Sequence, residues 1–206
     1  MQKTLKKIGI FGGTFNPVHN GHLIVAEAVR EDFCLDRVLF IPAGTPPHKS
    51  ISEVAEADHR YNMVKCAVDT NPGFEASHLE IDRMGYTYSI DTLTSLKASS
   101  AEEQDFYFII GADVVPELIT WKDYAKVFEM CSFIAILRPG YDREGFKLHI
   151  NQLTNNYQAN IVTAEAPLMD ISSTNIRERV MTGRTIKYLV PDCVENYIFE
   201  NGLYKS

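Results

Sequence analysis

The chain has 206 residues, of which 45% are hydrophobic and 23% charged, and it carries a net charge of −7 at pH 7. That length buries one large core, so a single domain over residues 1–206 is expected. The acidic balance argues against a nucleic-acid or membrane-surface binder, which carries basic excess, yet leaves room for a small anionic ligand in a local basic pocket. Cys34, Cys66, Cys131 and Cys193 lie far apart with no CxxC pair, the pattern of a reduced cytosolic protein. Only five residues, IGIFG, separate the basic start MQKTLKK from a polar loop, too few for a signal-peptide core. No apolar run is long enough to span a membrane, and a cytoplasmic location is expected.

The first strand is predicted over LKKIGIF, with Ile8, Ile10 and Phe11 apolar. A helix follows in HLIVAEAVREDF, where Leu23, Ala26, Val29 and Phe33 share a face. Between them lies GGTFNPVHNGH, residues 12–22. Gly12 and Gly13 allow unusual dihedrals and close approach of a ligand, and Pro17 stiffens the loop. His19 and His22 stand three apart at the helix start, so one face can carry both. A lone histidine there is more often packing or a cap. Glycines, two imidazoles and a helix N-terminus together make a receptor for phosphate.

RVLFIPAG reads as the second strand, which makes a βαβ unit with parallel pairing and a right-handed crossover. TPPHKS is then an extended loop at a strand's C-terminal end, where open α/β sheets place ligands. His48 and Lys49 in it either face a phosphate or form a solvated surface. A helix in ISEVAEADHRYNMVKCAVDTN turns Tyr61, Val64, Cys66, Ala67 and Val68 mostly inward and ends at Asn71, Pro72 and Gly73. FEASHLEIDRMG is predicted as a strand through Phe74, Leu79 and Ile81, with His78 structural. Thr87 or Ser89 is the expected cap of a helix holding Ile90, Leu93 and Leu96.

DFYFIIGAD is a buried strand through Phe106, Phe108, Ile109 and Ile110, closed by Gly111. Asp113, just beyond it, can accept from ribose hydroxyls, support a metal, or cap the helix over VVPELI. Trp121, the only tryptophan, stands beside Lys122 and Asp123; most single tryptophans anchor a core, but this one offers an aromatic plate for a flat heterocycle. CSFIAILRPG is another strand, with Arg138 directly after it. Residues 141–158 read as a polar helix region with His149 on its surface, and NIVTAEAP as the last strand. In PLMDISSTNIRERVMTG, Ser172, Ser173 and Thr174 precede a helix holding Ile176, Val180 and Met181. Hydroxyls and free N–H groups at that start bind phosphate, and Arg177, one turn in, adds a fork of donors. PDCVENYIFENGLY is a C-terminal helix covering the sheet. Alternating buried strands and helices predict an α/β fold, a doubly wound, Rossmann-like parallel sheet with helices on both faces.

The motifs carry a resemblance. His19, Gly21 and His22 match the HxGH signature of the nucleotidylyltransferase superfamily, Gly111 to Asp113 resembles its GxD motif, and ISSTNIR at 171–177 its third. The wording GGTFNPVHNGH is similar to one branch, the bacterial nicotinate-nucleotide adenylyltransferases, as is the PPHK loop. Neither a GxGxxG fingerprint nor a GxxxxGK[ST] loop fits residues 9–22.

The resemblance covers essentially the whole chain and implies adenylyl transfer from ATP to nicotinate mononucleotide, giving nicotinate adenine dinucleotide and pyrophosphate. It implies catalytic roles for His19, His22 and Arg177. ATP would meet Gly12, Gly13, Thr14, Phe15, His19, His22, Gly111, Asp113, Ile171, Ser172, Ser173, Thr174 and Arg177. Nicotinate mononucleotide would meet Asn16, His48, Lys49, Thr87, Trp121, Lys122 and Arg138. Mg²⁺ would arrive with ATP, held by phosphate oxygens and water, and no protein metal site is expected. A zinc site on His19 and His22 is the competing use, but no third or fourth ligand lies nearby in sequence. Adenylylation of phosphopantetheine or of nicotinamide mononucleotide, or nucleotide sensing without turnover, are the other readings. Neither nucleic acid nor membrane is expected as a partner, and a homo-oligomer is left open.

Overall fold

In the computed structural model, residues 5–45, 54–137, 143–167 and 169–205 are described. His48, Lys49 and Arg138 lie outside them. Six parallel strands form one sheet in the order β3-β2-β1-β4-β5-β6. They are β1 Lys6–Gly13, β2 Arg37–Pro42, β3 Phe74–Ala76, β4 Gln104–Gly111, β5 Ser132–Leu137 and β6 Ile161–Glu165. The helices are α1 Asn20–Asp32, α2 Ala57–Val68, α3 Ser89–Ser99, α4 Tyr124–Met130, α5 Arg143–Tyr157, α6 Ser173–Met181 and α7 Asp192–Glu200, with a 3₁₀ helix over Ala112–Thr120.

The period of two along each strand builds two core layers. Val38 and Phe40 of β2, Ile109 of β4, and Ile134 and Ile136 of β5 face a core made with α1, α2, α6 and α7. Ile8 and Ile10 of β1, Leu39 and Ile41 of β2, and Phe106, Phe108 and Ile110 of β4 face the other, made with α3, α4, α5 and the 3₁₀ helix. Strands buried on both faces explain the near-continuous apolar runs. The doubly wound sheet with helices on both faces is therefore observed. Its order reverses between β1 and β4, and both C-terminal ends open there.

Several local expectations are corrected. The strand predicted over FEASHLEIDRMG ends at Ala76, and Leu79 and Ile81 lie in turns. In α2 the inward face carries Arg60, Met63, Val64, Ala67 and Val68, while Tyr61 and Cys66 are half-buried. Met181 is 56% exposed, so α6 buries Ile176 and Val180 alone. Gly12 and Gly13 are ordinary strand residues, and the left-handed backbone falls on Phe15 at φ 48°. Neither Thr87 nor Ser89 caps α3; Tyr88 stands at that position and gives no side-chain hydrogen bond. Asp113 does not cap the 3₁₀ helix, whose first flanking residue is Gly111. His149 is on the surface, as expected, with Nδ1 2.8 Å from the Gly145 carbonyl.

Candidate active site

A cleft of about 640 Å³ opens at the switch point. His19, Gly21 and His22 line one wall, Gly111 and Ile136 the sheet edge, and Asp170 to Ser173 the facing wall. Among the ATP-site expectations, His19, His22, Gly111, Ile171, Ser172 and Ser173 therefore share one cavity. A side chain at Gly12 would meet nothing within 4 Å among the described residues, which leaves that backbone approachable from them. At Gly111 a Cβ would collide with the Asp113 carboxylate, which lies back over the strand end.

The two histidines are held by the start of α1. The imidazoles stack with centroids 3.6 Å apart and planes 20° apart. The His19 backbone N–H donates to His22 Nδ1 at 3.2 Å. An Nδ1 that accepts carries no proton, so neutral His22 holds its proton on Nε2 as a donor. His19 is 7% exposed, and its Nδ1 is buried without a partner among the described residues. Burial drives the His19 pKa down to about 4, opposed by its own backbone hydrogen bond. His22 is also held well below the usual histidine range, first by burial and then by the charge of His19. Phe11 and Phe15 pack edge-on against His22 at 5.9 and 5.1 Å.

The start of α6 is tied to the same loop. Ser173 Oγ donates to the Pro17 carbonyl at 2.8 Å, and Arg177 Nη1 to the Asn16 carbonyl at 2.9 Å. Arg177 Nη2 reaches Thr174 Oγ1 at 3.4 Å. Ser172 caps α6 by accepting from the Asn175 N–H at 3.2 Å. Two helix N-termini thus face one cavity, each with a positive dipole end. Asn16 is 3% exposed, and its side-chain oxygen accepts from the Ala55 N–H at 3.1 Å and the Tyr204 hydroxyl at 2.9 Å. Phe15 is buried, so it offers a ligand its backbone only.

Two residues that sequence reasoning missed, Arg60 and Tyr204, hold this loop, and a third, Glu80, holds the turns after β3. Arg60 is 1% exposed and donates to three carbonyls at 2.9 Å each: Ala55, Thr14 and Gly44. It has no carboxylate partner among the described residues, and burial lowers its pKa. Its signal was there, since position 60 falls one turn before Met63 and Val64 on the apolar face, where a charge is informative. Tyr204 and Glu80 left no comparable trace, because their partners are distant in sequence or in a turn.

Thr87, Trp121 and Lys122 do not line the cleft. They gather around α3 on the other face of the sheet. The Thr87 hydroxyl donates to Glu80 Oε2 at 2.9 Å. Lys122 Nζ lies 4.5 Å from the Tyr88 ring centroid and 3.9 Å from Asp91 Oδ2. Trp121 is half-buried, edge-on to Phe108 at 5.8 Å and Phe133 at 6.1 Å. Among the described residues no group of three or more His, Cys, Asp or Glu side chains could hold a metal, and no helix is long and apolar enough to cross a membrane.

A parallel sheet opening at its switch point onto two helix N-termini defines a nucleotide-binding α/β protein. Residues 10–179 match the family described as Cytidylyltransferase-like. The chain belongs to that family and, within it, to the nicotinate-nucleotide adenylyltransferases. It is 49% identical to a probable nicotinate-nucleotide adenylyltransferase of Thermoanaerobacter sp. (strain X514), covering 100% of this chain and 97% of that one. It is 44% identical to a protein of the same description from Moorella thermoacetica, over 97% and 92% of the two chains. The fold matches the Plasmodium falciparum nicotinic acid mononucleotide adenylyltransferase complexed with NaAD at a TM-score of 0.76 and 22% identity, over 97% of each chain.

Proposed function

We propose that this chain transfers the adenylyl group of ATP to nicotinate mononucleotide, releasing pyrophosphate and nicotinate adenine dinucleotide, in NAD biosynthesis. The observation that carries the reading is the stacked His19–His22 pair facing the α6 start across the cleft. The acceptor phosphate is already ionised at neutral pH, so its oxygen attacks the α-phosphorus without a base, and the bond to pyrophosphate breaks in line. Catalysis is then positioning plus stabilisation of charge on the phosphates. His22 donates through Nε2, and His19 lies against it with a ring nitrogen that has no partner among the described residues. Arg177 and the N–H groups at the α6 start take the β- and γ-phosphates, with Ser173 and Thr174. Asp113, beside Gly111, serves the ribose. Mg²⁺ would enter with ATP, held by phosphate oxygens and water, and would offset the phosphate charge.

Thr87, Trp121 and Lys122 are assigned to the pyridine nucleotide, with Asn16 acting from the loop backbone. The single-domain reading and a cytoplasmic location belong to the same proposal. The test offers ATP and Mg²⁺ with nicotinate mononucleotide, nicotinamide mononucleotide or phosphopantetheine and measures pyrophosphate. Release that depends on nicotinate mononucleotide supports the reading; release with phosphopantetheine alone, or none at all, overturns it.

A further inference from the structure

Glu80 lies in the turns that follow β3, outside every motif. Its Oε2 accepts the Thr87 hydroxyl at 2.9 Å and its Oε1 the Thr92 hydroxyl at 2.7 Å. Thr87 is 9% and Thr92 1% exposed, so both bonds are shielded from water. The carboxylate has no ion-pair partner among the described residues; two hydroxyls satisfy it. Its own backbone carbonyl lies so close to Gly44 that any side chain there would collide with it. Arg83, one turn on, donates Nη2 to the Asp91 carbonyl at 3.1 Å and Ser95 Oγ at 2.8 Å. Tyr86 bridges to Thr45 beyond the end of β2. The segment from Glu80 to Tyr88 is thus clipped at one end to the first turns of α3 and at the other to the loop after β2.

The conformation so fixed is that of the α3 start. No side chain among the described residues caps it; the Asp91 and Thr92 N–H groups turn back to the Tyr88 carbonyl, at 2.9 and 3.1 Å, and the earlier N–H groups of Ser89 and Ile90 are the donors that can face a ligand. A carboxylate and an amide on the same ring differ by one charge and by an acceptor oxygen in place of a donor NH₂, so discriminating them demands donors held in one geometry. We propose that Glu80 is a specificity-determining positioning residue, whose carboxylate locks Thr87 and Thr92 and so aims the backbone donors of the α3 start at the nicotinate carboxylate. This rests on the acceptor assigned above. Glu80 acts through Thr87 and touches neither substrate.

The experiment measures the affinity of the whole protein for nicotinate and for nicotinamide mononucleotide by calorimetry, together with catalytic efficiency for each. Glu80→Ala is expected to cut the nicotinate-over-nicotinamide ratio by about tenfold, the scale of one lost hydrogen-bonding partner, with the KM for ATP unchanged. Glu80→Gln keeps one acceptor, and the second hydroxyl can turn to accept from its amide, so most of the preference returns. Thr87→Val is expected to lower the ratio similarly, and adding Glu80→Ala to it to cost little more, since both act through one contact. A ratio unchanged in Glu80→Ala, or equal losses for both acceptors, overturns the proposal and leaves Glu80 as a fold element. Where Glu80→Ala does not fold, Glu80→Gln and Thr87→Val carry the same comparison. A parent chain that releases no pyrophosphate defeats the proposed activity instead, and the binding ratio still decides the role of Glu80.

Discussion

His22 meets ATP, in this mechanism, as a neutral Nε2–H donor, because its Nδ1 already accepts from the His19 backbone. His22→Ala removes that donor and should lower kcat by roughly 10²–10³-fold, more than it weakens ATP binding. Single-turnover rates alongside ATP titrations check it, and near-normal release from a folded variant removes His22 from the chemistry. The two imidazoles also set an acid limit on the free protein. With His19 at about 4, below the unfolded value, the unfolded chain binds the extra proton between pH 6.5 and 4. Stability is therefore fully present above pH 6.5 and is lost as pH falls toward 4. The His19 share amounts to about 3 kcal/mol at the bottom of that window. Urea melts from pH 7 to 4 should show this loss, reduced in His19→Asn. Bound ATP should diminish it as well, since an adjacent anion favours the protonated ring.

Among elements, α2 binds the loops together through one side chain. Arg60→Met keeps the volume but leaves the carbonyls of Thr14, Gly44 and Ala55 without their donor. A loss of roughly 3–5 kcal/mol is expected, read as a lowered urea midpoint. A loss below about 1 kcal/mol would mean that water replaces the guanidinium. What the sequence disclosed about such elements followed from how local the cause was. Strands β1, β2, β4 and β5 announced themselves because burial on both faces demands near-continuous apolar runs, whereas β6 lies at the sheet edge and buries only Ile161 and Ala164. The α1 and α6 starts were legible because histidines and hydroxyls sat at helix boundaries. The span from Ser77 to Gly85 was misread because Leu79 and Ile81 alternate like a strand, while Glu80 and Arg83 bind it to α3 by contacts that no periodicity records. The phosphate loop hid its own geometry too. Its positive φ falls on Phe15, a residue with no special propensity for it, in a loop that Arg60 holds at Thr14 and Tyr204 at Asn16.

At the scale of the molecule, the sheet separates the work. The residues proposed for the phosphates stand at the starts of α1 and α6, on one face, and those proposed for the pyridine group at α3 and the segment after the 3₁₀ helix, on the other. In that proposed division, a change on the second face should reach the acceptor without reaching ATP. Trp121 tests this division. Its ring leans edge-on against Phe108 and Phe133, part of the second core layer, yet stays half-exposed. Stacking on a flat heterocycle contributes about 1–3 kcal/mol and does not sense whether the ring bears a carboxylate or an amide. Trp121→Ala is accordingly expected to raise the KM for both mononucleotides by roughly 5- to 100-fold, with their ratio and the KM for ATP unchanged. The ratio isolates stacking from charge recognition, because only the latter distinguishes the two acceptors. If the KM for ATP rises in parallel, the loss has travelled through Phe108 and Phe133 into the sheet, and Trp121 is a core anchor rather than a plate for the substrate.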